Sequence, residues 1–596
     1  MRNPGCGRAS YGICCLSTGK SSHLKGAGTV LAAVDADRFA LSGRAGTVAI
    51  DGHAGQNPMN RRRFVRTAGI LLAGSAFSRP LMGCGSSGLE IPCLGPAAAP
   101  EHVPGMTYIR ASEIGCALDC DLETGRNKHT GGAATDDGPR INAAMAGAMA
   151  GNPITLIIDG SALISGLFLP TGGYWGIAGL GCGTGFFVKS GTNNDGIHNG
   201  PPDAARPSDP GPPAPPRGKN VFLSNFTLNG NQGNGHDGDS TKGMTQGSKT
   251  RWYFGIDLMN LDNIVIENVV VVNTPAYHIR LSNVGNVTVS GCVMKSHGPS
   301  TDGVHFDGPA NDIAISDCQF ATGDDSIALN CPEGYSGNIS RVAVSNCTFN
   351  SWSLMRLYTT TGNGAAFTID NVSVSNCTGT LVEAAFLIGM ANGSLPHSIA
   401  SLTVSDCSLT APVVLAMAEN FGSITLRNVI FHPSEVNVVW SSQPNHISAF
   451  MRPSPLYGSD PCAGSNLSFE NCIISRNGNM DATAVILENG SVIENLSFNG
   501  FAVQDPVRYF PVQELLNLGG GTVGQLALNS VNPQNIRSLM EVQRYRRIAS
   551  VSGTGVLATG WRFPNPVMAN GVPYISAESG LPSIKVNGVV EPYPQS

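Results

Sequence analysis

From Asn220 onward the chain repeats one short string in which apolar and polar positions alternate. It returns as NIVIENV at 263, NVTVSGC at 286, DIAISDC at 312, RVAVSNC at 341, NVSVSNC at 371, SLTVSDC at 401, SITLRNV at 423 and NLSFENC at 466, mostly at intervals of 22 to 30 residues. Strict alternation is the mark of a strand with one buried face. A strand that recurs at such a period cannot bury that face alone, so successive copies must stack into a solenoid. Val287 and Val289, Ile313 and Ile315, Val342 and Val344, and Val372 and Val374 are then expected along one inner wall, with Cys292, Cys318, Cys347, Cys377 and Cys407 as a second inner ladder. Asp317, Asn346, Asn376, Asp406 and Asn471 fall where each copy must turn, and Asn and Asp tolerate the left-handed backbone conformation of such turns. A leucine-rich horseshoe is the main structural competitor, but its Leu-rich phrase and helical return segments are missing. The expected fold is all-β, a right-handed single-stranded parallel β-helix.

The flanks add an end to this stack. In DDGPRINAAMAGAMAG, Ile141, Ala144, Met145 and Met149 lie at helical spacing, predicting an N-terminal capping helix over 139–150 that covers the open strand edge. ITLIID at 154–159 and ALISGLFLP at 162–170 read as strands, and the Pro-rich 200–217 as an inserted loop. Past about 505 the repeat degrades. The expected organisation is a linker and N-terminal segment at 85–134, a β-helix domain at 135–505, and terminal coils with a cap or small β module at 506–596.

Composition agrees with a protein made of turns: 74 glycines and 38 prolines among 596 residues, with charged residues at 13% against roughly 25% in average soluble proteins. The net charge is −6 and no long basic block is present, so nucleic acid is not an expected partner. No apolar run reaches the ~18 residues of a membrane span. Most of the 16 cysteines recur once per repeat as apolar filler; Cys116 with Cys120, and Cys462 with Cys472, are the candidate bridges. From Met59 the chain reads MNRRRFVRTAGILLAGSAFSRPLMGCGSSG, where Arg61 and Arg62 precede an apolar stretch from Ala68 to Phe77. This resembles a bacterial twin-arginine signal peptide over 59–84, which makes 1–58 a mis-called upstream extension. Leu81-Met82-Gly83-Cys84 resembles a lipobox, with Cys84 the site of a lipid anchor. The expected location is outside the bacterial cytoplasm, periplasmic, lipid-anchored or extracellular, and the expected state is a monomer.

Chemistry concentrates in two consecutive repeats, STDGVHF at 300–306 and GDDSIALN at 323–330. Setting Val304 beside Ile327 and Phe306 beside Leu329 puts Asp302 next to Asp325, and neighbouring strands lie only ~4.8 Å apart. Asp302, Asp324 and Asp325 are therefore expected to crowd at one edge of the stack. Close carboxylates repel, so at least one tends to keep its proton near neutral pH, which is the division of labour that glycoside hydrolysis needs. Taken singly, Asp-Gly and Gly-Asp pairs only make turns; the constellation is what points to catalysis.

STDG followed one coil later by GDD, within SNC-type repeats, resembles glycoside hydrolase family 28, the polygalacturonases and their relatives on the pectin-lyase-like β-helix. NTPAYHIRLSNVGNVTVSGC at 273–292, with Tyr277 where an aromatic is usual, resembles the segment leading into that family's site. The resemblance spans roughly 135–500. It implies Asp324 as general acid, Asp302 and Asp325 holding and activating water in an inverting mechanism, a polysaccharide substrate, and neither metal nor cofactor. Two family motifs are missing: SWSLMRLYT at 351–359 stands where Gly-His-Gly is expected, and EAAFLIGM at 383–390 offers no Arg-x-Lys.

The same alignment predicts an outward column of Asp257, Arg280, His305, Ala328, Arg356 and Phe386. Arg280, His305 and Arg356 are candidate ligands for a uronate carboxylate or sugar hydroxyls, with His278 beside them and Glu383, aligned with Ser353 and Asp325, at the far end. Trp352 is either a sugar platform or a turn aromatic. The leading expectation is a glycosidase acting on a polysaccharide with acidic or deoxy sugars. A lyase or uronate epimerase using Arg280 or Arg356, or a non-catalytic carbohydrate-binding β-helix, are the alternatives.

Overall fold

The computed structural model describes residues 105–592 apart from 193, 202–213, 233–252, 360–366, 390–397, 435–447, 454–460, 477–481, 489, 505–511, 533–535, 542–547, 553–561, 564–573, 577–578 and 580. Within that range 35 strands join one continuous sheet in which every coil pairs in parallel with the coils before and after it. The sheet winds into a right-handed parallel β-helix with three faces. The site-bearing face holds the first halves of Ile256–Glu267, Ile279–Ser290 and Val304–Ser316, then Asp325–Asn330 and the second half of Thr348–Tyr358. The second face holds the alternating phrase itself, and the third the short strands Val270–Val272, Val293–Lys295 and Gln319–Ala321.

The inner wall follows the alternation. Val287, Ile313, Val342, Val372 and Leu402 pair in consecutive register and are buried, as are Val289, Ile315, Val344, Val374 and Val404. Cys292, Cys318, Cys347, Cys377 and Cys407 continue inward as buried, free thiols. Cys116, Cys120, Cys462 and Cys472 are also free, so neither candidate bridge forms. After each phrase the chain turns through a left-handed residue: Asp317, Asn346, Asn376, Asp406 and Asn471 have φ between 51° and 56°. Asn220, Asn263 and Asn286 do the same at the opposite end of the strand and bond side chain to side chain at 2.9 and 2.8 Å.

The helix is shorter than its periodicity suggests, Gly138–Met145. Ile141 and Met145 are buried while Met149 is 60% exposed, because the chain turns after Met145 and Met149 pairs with Asn152. The edge of the first coil is covered piecemeal. Thr107–Arg110 pairs with Ile154–Ile158, Asp119 and Asp136 bridge to Ser161 and Leu163, and the Asn142 amide reaches the backbone of Gly166 and Phe168. The coils continue past 505 to Ile548–Ser552, and a separate four-stranded sheet forms from Arg562–Phe563, Tyr574–Ser576, Pro582–Val586 and Val589–Pro592. The strands at 154–158, 161–164 and 167–169 form as read; residues 1–104 and most of 200–217 lie outside the described residues.

The turn geometry sets a stability test at the exposed Asn376. Asn376→Ala must hold a β-carbon at φ 52° and is expected to cost about 1 kcal/mol, whereas Asn376→Gly should be close to neutral. Urea unfolding of the two variants measures this; equal losses would assign the effect to the amide side chain instead.

Candidate active site

Two glycines explain how the aspartates meet. A β-carbon on Gly303 would lie 2.4 Å from the Ser326 carbonyl oxygen, and one on Gly323 would lie 2.2 Å from that of Gly298. The glycines of STDG and GDD thus let adjacent coils close on each other, which turn-making alone does not explain. Thr301, fully buried, ties the two turns by donating to the Gly298 carbonyl (2.7 Å) and accepting from Gly323 N–H (3.0 Å). The expected register holds: Val304 pairs with Ile327, Phe306 with Leu329, and Gly303 N–H donates to the Asp325 carbonyl at 3.0 Å. Carboxylate oxygens of Asp302, Asp324 and Asp325 lie within 4.8 Å of one another.

Each carboxylate has its own support. Asp324, the most accessible of the three, accepts from the Ser300 and Asp325 backbone N–H groups at 2.8 and 3.1 Å. Asp325 accepts from Ser353 Oγ at 2.6 Å and faces Arg356 Nη1 at 3.9 Å. Asp302 bonds His305 Nδ1 through Oδ2 at 2.7 Å, while His278 N–H and Nδ1 both hold its backbone carbonyl at 2.8 Å. Burial pushes Asp302 well above the usual carboxylate range; the His305 bond pulls it down, and the charges of Asp324 and Asp325 push it up again. Burial lowers the His278 ring to about 4, so it stays neutral and acts on main chain.

His305 is wholly buried, stacked on Tyr277 with ring centroids 3.9 Å apart. Its Nε2 lies 3.1 Å from both Asp307 Oδ1 and Glu333 Oε2. Burial opposes its charge, but the bonds to Asp302, Asp307 and Glu333 outweigh burial and hold it well above the ordinary imidazole range. Arg280 is tied to Asp307 and faces Asp257 at 3.6 Å. Burial works against its charge and those two carboxylates more than offset it, so it is a fixed cation with no tendency to act as a base. Arg356 lies over the Tyr358 ring at 4.8 Å.

The outward column runs as expected through Asp257, Arg280, His305, Ala328 and Arg356, and then departs. Arg356 pairs with Leu387, and Phe386 sits inside against Met355. A bulge opposite Ser351–Ser353 inserts one residue, so Ser353 pairs with Ala384 and Glu383 slides off the Asp325 row. Glu383 is buried and accepts from the Trp352 indole N–H. Asp307, Glu333, Ser353 and Thr301 were not singled out by the sequence. Asp307 lies two residues after His305 on the same face and was accessible to the alternation argument; Glu333 sits in a turn with no period to reveal it.

Three donor sets among the described residues have the spacing of a cation site: the three aspartates, His305 with Asp307 and Glu333, and the buried Asp195, His198 and Asp257. In the second set both imidazole nitrogens already serve carboxylates. A cleft of about 480 Å³ lies on the third face, lined by Thr348, Thr378, Thr380, Ser408, Thr410 and His432. It is a different face from the carboxylates, and the chemistry rather than the volume locates the site.

The chain is a right-handed parallel β-helix of the pectin-lyase-like fold that brings three aspartates together at one coil edge. Residues 219–406 match the model of glycosyl hydrolases family 28, so these coils are similar to that family. That match supports a hydrolase of this superfamily acting on polysaccharide. Solved structures similar in fold include the family 28 exopolygalacturonase of Yersinia enterocolitica (10% identity, 75% of this chain and 78% of that one, TM-score 0.40) and the hyperthermoactive exopolygalacturonase of Thermotoga maritima (15%, 65% and 94%, 0.43). PfbA, a surface adhesin of Streptococcus pneumoniae, is also similar (12%, 82% and 99%, 0.39). A search of curated protein sequences found no match.

The raised His305 gives a pH signature. A group whose folded pKa lies above its unfolded value of ~6.5 contributes stability that is complete below that pH and is lost as pH rises through the folded value. The stability advantage of wild type over His305→Gln should therefore shrink as pH is raised above about 6.5 in urea unfolding. An advantage that grows with pH would contradict the imidazolium.

Proposed function

We propose that the protein is an exported glycosidase that hydrolyses a polysaccharide with acidic or deoxy sugars, with inversion at the anomeric carbon. The observation that carries this reading is the meeting of Asp302, Asp324 and Asp325 at one coil edge, each held by different donors. Asp324, the accessible one, protonates the leaving glycosidic oxygen, and Asp302 and Asp325 together hold and deprotonate the attacking water. The spacing under 4.8 Å is shorter than the ~6.5–9.5 Å usual for an inverting pair and nearer the ~5–5.5 Å of retaining enzymes. Two carboxylates sharing one water do not need the wide gap that a single base across the sugar requires. Arg356, beside Asp325 and slightly exposed, is the cation best placed to meet a sugar carboxylate.

Arg280, locked between Asp307 and Asp257, speaks against the lyase alternative, which needs a base that can lose its proton. Export rests on the Arg61–Arg62 segment and lipidation on Cys84.

A panel of polysaccharides read out by new reducing ends identifies the substrate, and NMR of the first anomer released decides the stereochemistry. A retained first anomer would overturn the inverting roles, and an unsaturated, ultraviolet-absorbing product would replace hydrolysis by elimination. On the substrate found, Asp324→Asn is expected to lower kcat by about 10²–10⁴-fold; unchanged turnover would remove Asp324 from catalysis.

A further inference from the structure

We infer that His305 is a positioning residue that holds Asp302 as a charged, oriented carboxylate, and that Glu333 and Asp307 hold His305 for that task. The inference rests on the hydrolase reading above and goes beyond it, because nothing else in the triad offsets the burial that drives Asp302 toward its neutral form. Asp302 is 4% exposed with two other carboxylates beside it, and both conditions favour its neutral form. Among the described residues, the side chain bonded to its carboxylate is His305, through Nδ1 at 2.7 Å. A charged donor at that distance stabilises the ionised acid and fixes which oxygen remains turned toward the cluster.

Every side of His305 serves this role. Nδ1 faces Asp302 in the turn before its own strand. Nε2 faces Asp307 on the same strand and Glu333 in the turn after Asp325–Asn330, with the Asn330 amide at 3.4 Å. Arg280, its register partner on the preceding coil, neutralises Asp307 from the far side, and Ala328 on the following coil brings no charge. Tyr277 stacks on one ring face and Phe254 on Tyr277 at 5.0 Å, which prevents the imidazole from rotating. Carboxylates on both nitrogens favour an imidazolium donating in both directions. His305 makes no contact with bulk solvent, so it acts through Asp302 and not on the sugar. The rung at 351–359 carries no histidine; the imidazole comes instead from inside the STDGVHF segment.

The test combines a ring titration with two variants of opposite effect. In the wild-type protein, NMR of the His305 ring nitrogens should show a cation persisting well above pH 6.5. His305→Gln removes the charge that opposes burial of Asp302, so the acid limb of kcat/KM should move to higher pH and activity at pH 7 should fall about 10²-fold. Glu333→Gln, at a side chain 14% exposed, takes away one acceptor of the imidazolium. It should move the alkaline limb, and the ring titration, to lower pH while leaving the acid limb in place. A merely structural role would lower activity without moving either limb, and that result, or a wild-type ring that is neutral at pH 7, would overturn the inference. Should His305→Gln fail to fold, Glu333→Gln and the wild-type ring decide the matter. The ring titration needs no substrate, so it stands or falls separately from the hydrolase reading: turnover with a neutral His305 sinks only the inference, and a charged His305 without turnover sinks only the hydrolase.

Discussion

Parallel register between consecutive coils is the constraint on which everything else in this molecule depends. Each coil has too little apolar surface to stand alone and is stable only with its inward residues stacked on those of its neighbours. Val304 on Ile327 and Phe306 on Leu329 are such stacks, and they determine what happens a few residues earlier, where Asp302 and Asp325 have no choice but to meet. The repulsion of three carboxylates is thus imposed by hydrophobic pairing and backbone hydrogen bonds spread over many coils. Local relief then comes from donors on the same scaffold: Ser353 for Asp325, backbone N–H groups for Asp324, His305 for Asp302.

The same stacking that places the acids also builds a buried column of charge beside them. Asp257, Arg280 and His305 are register partners on three successive coils, with His198 one coil before Asp257, and Asp307 stands against both Arg280 and His305. Removing one partner from such a column leaves a buried charge uncompensated, which is far more damaging than the loss of a surface pair. The column was read from the sequence as a set of sugar ligands. Its burial changes that meaning for Arg280 and His305, whose bonds run to Asp307, Asp302 and Glu333. Arg356 keeps a small opening to solvent and is the member in which a ligand role and a role toward Asp325 remain compatible.

How much of this was legible follows from where the period holds. Between 263 and 345 the phrase recurs cleanly, and there the inner wall, the left-handed Asn and Asp turns and the pairing of Asp302 with Asp325 all come out as read. Alternation gives parity, however, and a bulge changes parity without leaving a mark in composition. One extra residue near 382 was enough to carry Phe386 from the outer column to the core and to move Glu383 off the aspartate row. Turns carry no period at all, so Glu333, from CPEGYSG, could not be placed against a histidine 28 residues earlier until the backbone was closed. The cysteine pairs failed for a related reason. Spacing suggested bridges, but the solenoid uses a small buried sulfur at each corner as filler, and one thiol stacks on the next without needing a bond.

Parallel stacking also explains why the missing family motifs do not empty the cluster of its neighbours. A β-helix offers the same location to residues from several coils and several positions within a coil, since any outward side chain near the Asp302 turn lies within reach of it. A histidine one coil later or an imidazole three residues after the aspartate can both present a nitrogen to the cluster. What differs is the direction of approach. From within its own strand His305 comes at Asp302 with no face open to solvent, so its contact is with the carboxylate and not with the space outside the coil. The absence of an Arg-x-Lys at 383–390 has no such substitute among the described residues: Leu387 and Ala384 pair with Arg356 and Ser353 as buried apolar side chains. Among the described residues the arginine charge beside the cluster is therefore that of Arg356, on the coil after Asp325.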